Sequence, residues 1–204
     1  MTRTNSDWTT EMAGHARYTA LLDACVLFPL ATCDSLLSIA ATGLYAPKWS
    51  ARIEGEWMTS LERKTGKPAG TFIKRRDAMR SAFPDWEVPE QAWKGLEDGL
   101  AWRDVDDRHV LAAAIAGHAD CIVTANLKHF TAKDLQPFGI EAIHPDQFLA
   151  AQFDLDQVAV LAAFKAQRQR LRKGQYTVET FIDGLERTGL ITTAQRLRDA
   201  AALI

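Results

Sequence analysis

The sequence predicts an α/β fold, a central parallel sheet flanked by helices, followed by a purely helical C-terminal extension. Two observations carry this. Short apolar runs such as Tyr18–Val26 and Cys121–Thr124 alternate with segments whose apolar residues recur at helical spacing, the pattern of strands joined by crossover helices. Beyond Pro145 the alternation stops and every pattern is helical.

Taken in order, residues 1–17 read as a loose leader: they are polar and lack a hydrophobic signal core, with Trp8 as a candidate anchor. Tyr18–Val26 is the first strand, ending near Asp23. Pro29 sits where a helix can begin, and Leu30–Ala41 carries helical spacing until Gly43 ends it. Leu44–Ala46 is a second short strand. Ser50 is a plausible N-cap for a helix to about Lys64, with Ile53, Trp57 and Leu61 on its buried stripe. The stretch after Pro68 is helical and basic, and that between Pro84 and Pro89 is irregular. Asp107–Ala116 forms a small-residue helix closed by Gly117, and Cys121–Thr124 and Gly139–Ile143 are the last strands. In the extension, Gly174 and Gly189 act as breaks, and Thr192 with Gln195 resembles a capping box. The divisions are therefore 1–17, 18–145 and 146–204.

Composition narrows the function. Hydrophobic residues at 47% and charged residues at 25% suit one globular core in 204 residues. A net charge of -2 supplies no global attraction to nucleic acid, so a polyanion would need a local basic patch or a bound cation. Cys25, Cys33 and Cys121 are odd in number and lack C-x-x-C spacing, which argues against a disulfide framework or a zinc site and for a cytoplasmic protein. No apolar run reaches the roughly 18 residues that span a bilayer.

Three acids from separate segments draw the eye. Asp23 ends an apolar run where ligands bind in parallel sheets, at the carboxyl ends of strands; a turn or cap role is the alternative. Glu56 borders the buried face of the helix carrying Ile53 and Trp57, or else sits in a surface pair. Glu54 points to another side and reads as a solvated charge. Asp107 lies on the inward face set by Val110, Leu111 and Ala114, where a carboxylate is costly unless paired or bound to a cation; it also suits an N-cap. Asp104 competes with it or assists through water. Such a hard-oxygen set suits Mg²⁺ or Mn²⁺.

Four motifs in this order resemble those of PIN-domain nucleases, in particular the VapC-like toxins of toxin–antitoxin pairs. They are Leu21-Leu22-Asp23-Ala24-Cys25-Val26, Trp49-Ser50 through Glu56-Trp57, Asp107-Arg108-His109-Val110-Leu111, and Ile122-Val123-Thr124-Ala125-Asn126 through Phe130. The likeness covers about residues 18–145. It implies a three-layer α/β/α fold, with Asp23, Glu56 and Asp107 as catalytic metal ligands. It also implies divalent-metal-dependent endoribonuclease activity leaving a 5′-phosphate and a 3′-hydroxyl, a cognate antitoxin and a homodimer. Many relatives have a fourth acid where this chain has Asn126 or His129. That departure weakens a second metal site and keeps open a catalytically weakened RNA-binding or regulatory protein. Asn126 can offer an amide oxygen, and His129 can meet a phosphate or a softer metal.

An RNA backbone needs cations. Lys74-Arg75-Arg76 is the leading patch, with Lys64, Lys67 and Arg80 nearby, and Arg108 stands beside the acids. Arg168–Lys173 is a second basic run. A solvated helix face is the alternative for both runs, and pairing with a carboxylate is the alternative for Arg108. Trp86, Trp93 and Trp102 could stack on bases, although core positions are commoner for such residues.

Overall fold

The computed structural model describes residues 17–102, 104–171 and 176–204. The leader before Arg17, including Trp8, and the break at Gly174 lie outside the described residues.

Four short strands form one parallel sheet: β1 (Thr19–Leu22), β2 (Ala46–Lys48), β3 (Cys121–Val123) and β4 (Glu141–Ile143), in the order β2-β1-β3-β4. Ala20 pairs with Pro47 on one side and Cys121 on the other, and Cys121 pairs with Glu141. Pro47 is tolerated because β2 is an edge strand. Ala20, Leu21, Leu22, Cys121, Ile122 and Val123 are all buried, as strands covered on both faces require.

The connections set the layers. From β1 the chain passes through α1 (Ala24–Leu27) and α2 (Leu30–Ala40) to β2. It then crosses back over β1 to β3 by way of α3 (Ala51–Thr65), α4 (Ile73–Ala82), α5 (Glu90–Gly99) and α6 (Arg108–Ala116). The two crossovers run in opposite directions, so right-handed connections put their helices on opposite faces. The result is a three-layer α/β/α fold whose strand order reverses between β1 and β3. The short α7 (Ala132–Leu135) leads to β4, and α8 (Pro145–Arg170), α9 (Val178–Arg187) and α10 (Ile191–Asp199) follow. α8 lies along α2, with Phe148 edge-on to Tyr45 at 4.8 Å and Gln167 bonded to the buried Ser35 hydroxyl. It is broken at Asp156 (φ -154°, ψ 90°), whose carboxylate accepts from the Ala159 amide as an N-cap would.

Several expectations are corrected. The first strand does not run to Val26: the chain turns helical immediately after Asp23, whose carbonyl accepts from the Val26 and Leu27 amides. Tyr45 is not in the second strand; its hydroxyl donates to the Leu36 carbonyl, and pairing starts at Ala46. Ser50 does cap α3, accepting from the Ile53 amide. Gly117 closes α6 for a packing reason, since a Cβ there would lie 2.8 Å from Val88. Thr192 and Gln195 do not form a capping box. α10 begins at Ile191, and its free Thr192 and Thr193 amides donate to the Asp146 carboxylate, each at 2.8 Å.

Glu54 is the largest departure. It is only 2% exposed, accepting from Trp49 Nε1 at 2.9 Å and from the Arg80 guanidinium. α3 is covered on two sides, by the core beneath Ile53 and Trp57 and by α4 with the stacked Trp49–Trp86 pair. A single apolar stripe in the sequence reveals only the first.

Candidate metal centre

The reversal point between β1 and β3 is where an open parallel sheet leaves a crevice. Asp23 stands directly after β1 there and is buried. Its amide donates to the Val123 carbonyl at 3.2 Å, and its Oδ2 accepts from the Thr124 hydroxyl at 2.7 Å and the Cys25 thiol at 3.1 Å. Thr124 is the residue after β3, so the two strand ends are tied through one carboxylate. Burial, with the Asp23 charge beside it, pushes the Cys25 thiol up to about 12. The three cysteines are free.

Asp107 occupies the N-cap position of α6 but makes no side-chain cap. Its Oδ2 lies 2.5 Å from His129 Nδ1, and the same nitrogen is 3.0 Å from Asp104 Oδ2. His129 ends a one-turn 3-10 helix, Leu127–His129, just beyond β3. Asp104, Asp107 and His129 thus offer ligand atoms all within 4.8 Å of one another. Burial raises the pKa of Asp107, and the charges of Asp23 and Asp104 add to the rise; the His129 hydrogen bond opposes it. The Asp23 charge therefore reaches the same site.

Glu56 is held differently. His109, on α6 two residues past Asp107 and 1% exposed, approaches Glu56 Oε1 with Nε2 at 2.8 Å, and Arg52 Nε reaches that oxygen at 3.5 Å. Asp104, Asp107 and His129 thus form one group, of which Asp23 and Glu56 are not part: the Asp23 carboxylate is bonded to Thr124, and Glu56 is tethered to the start of α6 through His109. Asn126 begins the 3-10 turn, and its amide donates to Thr124 Oγ1 at 3.0 Å.

The donor chemistry fits a divalent cation. The charges of Asp23 and Asp104 add to the rise that burial imposes on Asp107, and carboxylate oxygens with one imidazole nitrogen are acceptable ligands for such an ion.

The basic residues divide. Arg75 lies with its guanidinium 4.5 Å from the Trp57 ring centre and donates to the carbonyls of Leu27 and Phe28, joining α4 to α1. Arg80 is spent on Glu54, and Arg76 pairs with its neighbour Asp77 at 2.7 Å. Lys74 is exposed. Arg108 is half-buried, and its Nε has no hydrogen-bond partner among the described residues. Trp86 and Trp93 are buried and Trp102 packs near Phe130, so the first two are core residues and not base-stacking surfaces. In the second basic run, Arg168 donates to the carbonyls of Tyr176 and Ile204 and Arg170 reaches Asp34; Arg172 and Lys173 lie outside the described residues.

Sequence reasoning passed over Thr124 and His109. Thr124 was visible as the polar residue closing a buried strand, and His109 as a polar residue on the apolar face of α6. Among the described residues no helix is long and apolar enough to cross a membrane.

Residues 19–128 match the family model described as a PIN domain, and residues 145–199 match the VapC50 C-terminal domain. A Mycobacterium tuberculosis protein carrying the provisional name of ribonuclease VapC50 is 43% identical over 131 residues, 59% of this chain and 78% of that relative. No solved structure matches the chain. A parallel sheet in the order β2-β1-β3-β4, carboxylates gathered at its reversal point and both matched segments lead to one conclusion: the chain belongs to the VapC-like PIN-domain family, in a form with a C-terminal helical extension.

Proposed function

We propose that the protein is a divalent-cation-dependent endoribonuclease and the toxin of a toxin–antitoxin pair, with Asp23, Glu56 and Asp107 as its catalytic metal ligands. The observation that supports this most is the meeting of Asp104, Asp107 and His129 within 4.8 Å; burial, then the charges of Asp23 and Asp104, raise the proton affinity of Asp107, and a cation would relieve this. A bound Mg²⁺ or Mn²⁺ supplies charge neutralisation at the scissile phosphate and a more acidic water.

The chain's own residues do the positioning. Thr124 fixes the rotamer of Asp23, His129 orients Asp107, and His109 holds Glu56. In this reading Lys74, Arg76 and Arg108 face the RNA backbone, which a chain of net charge -2 must attract locally. Arg75, although part of the same basic run, acts mainly by seating α4. The partners are an RNA substrate, a cognate antitoxin and a second copy of the chain, in the cytoplasm.

The test is cleavage of RNA by wild type and Asp23→Asn with Mg²⁺ or Mn²⁺, and with chelator. Wild type should cleave only with the ion, and the variant should lose on the order of 100-fold or more in rate. Equal cleavage by the two proteins would reject the assignment. The tethering of Glu56 by His109 and Arg52 favours one other reading, a weakened PIN domain that binds RNA without cutting it. RNA retained by wild type without ion-dependent cleavage would support that reading instead.

A further inference from the structure

We propose that Asp104, Asp107 and His129 form a mixed carboxylate–imidazole subsite that takes a first-row transition-metal ion, such as Mn²⁺ or Fe²⁺, in preference to Mg²⁺. This deepens, and rests on, the reading of the acidic group as a divalent-cation site.

The three side chains come from two separate approaches to the reversal point. Asp104 and Asp107 flank the entry to α6, while His129 comes from the 3-10 turn after β3. His129 Nδ1 is 3.0 Å from Asp104 Oδ2 and 2.5 Å from Asp107 Oδ2, so one nitrogen faces two carboxylates. The backbone keeps Asp104 in place, its Oδ1 accepting from the Asp106 amide at 3.1 Å while Oδ2 faces the imidazole. A cavity of about 550 Å³ lined by Asp104, Val105, Asp106, Lys128 and His129 opens onto the group, giving a hydrated ion a way in.

Ligand chemistry sets the preference. Mg²⁺ prefers oxygen donors and keeps much of its water, whereas imidazole nitrogen favours first-row transition ions, whose affinity for mixed nitrogen and oxygen sites rises along that series. An ion between the three groups replaces the His129–Asp107 hydrogen bond: Nδ1 becomes a lone-pair ligand, and Nε2 carries the ring proton. An aspartate at position 129 would remove the bias by making the set all-oxygen.

The full chain, freed of metal by chelator and loaded with substoichiometric Mn²⁺, is examined by pulsed electron paramagnetic resonance. The expected result is modulation from a directly bound nitrogen-14 nucleus in wild type. His129→Asp, checked for a native circular dichroism spectrum, should retain Mn²⁺ but lose that modulation. The ratio of Mg²⁺ to Mn²⁺ needed for half-displacement should also fall about tenfold, the lower end of what losing one metal-site partner costs. Asp104→Asn should weaken Mn²⁺ binding and keep the nitrogen signal.

Bound Mn²⁺ without nitrogen modulation, or modulation that survives His129→Asp, overturns the subsite and leaves the ribonuclease reading intact. Nitrogen-ligated Mn²⁺ in a protein that cleaves no RNA supports the subsite while overturning that reading. Failure to bind Mn²⁺ at all overturns both.

Discussion

A carboxylate that water cannot reach must have its charge met by the protein. Glu54 meets this condition twice, through Arg80 and through the indole of Trp49. Glu54→Gln keeps an acceptor for Trp49 but removes the ionic partner of Arg80. It is expected to cost about 1.5–3 kcal/mol, the range for hydrogen bonds to charged groups, with the half-exposed Arg80 keeping it toward the lower end. A shift of the urea midpoint to lower concentration at unchanged slope would bear this out, and an unmoved midpoint would contradict it. The spacing of Ile53 and Trp57 made one face of α3 legible in the sequence, and both are buried. Glu54 was not legible, because its burial depends on Arg80, 26 residues away on another helix. Asp23 and Asp107 announced themselves by their neighbours, a buried strand and an apolar helix face. His109 did not, since its partner Glu56 lies on a different element.

At the level of elements, the joint between α8 and α10 illustrates how far a cap can travel. Asp146, in the first turn of α8, closes the start of α10 by accepting from two of its free amides. Burial works against its ionisation, but those amides, Thr193 first, more than offset this and hold its pKa below the usual carboxylate value. The lowered value means that the stabilisation is complete above the unfolded pKa near 4 and fades as pH drops through the folded one. Asp146→Ala should therefore cost about 1–2 kcal/mol at pH 7, as loss of an N-cap does, with amide exchange accelerating most across 191–199. The gap between variant and wild type should narrow as the solution is acidified below pH 4; a gap independent of pH would refute the charge-based cap. The sequence pattern placed the helix here but misassigned its cap to Thr192 and Gln195, because local spacing cannot show an acceptor 46 residues upstream. Strand limits erred for a related reason. Val26 looks like strand by composition, yet Asp23 has already begun a helical turn.

Across the whole molecule, the extension and the sheet domain share one interior. Phe148, Leu149, Phe153, Val160 and Phe164 of α8 are buried in the same apolar cluster as Leu36 and Ile39 of α2. A shortened chain of residues 17–144 would leave that face of α2 open to water, and it is expected to aggregate or to bind a hydrophobic dye that the full chain ignores. A monomeric fragment that unfolds cooperatively in urea would show instead that the extension is dispensable for folding. The alternation of runs made the parallel sheet legible. The strand order was not, since periodicity is blind to which strands become neighbours.

The break at Asp156 has a practical consequence. Leu155 and Val158, 67% and 79% exposed, stand on either side of a point where α8 abandons helical geometry. A protease that prefers large apolar residues therefore finds its easiest foothold there. The buried residues before and after the scissile region remain gripped by their neighbours, so the clipped chain would migrate as two pieces in detergent and as one particle in native buffer. Such a nick would mark the extension as two separately anchored clasps rather than a single continuous rod.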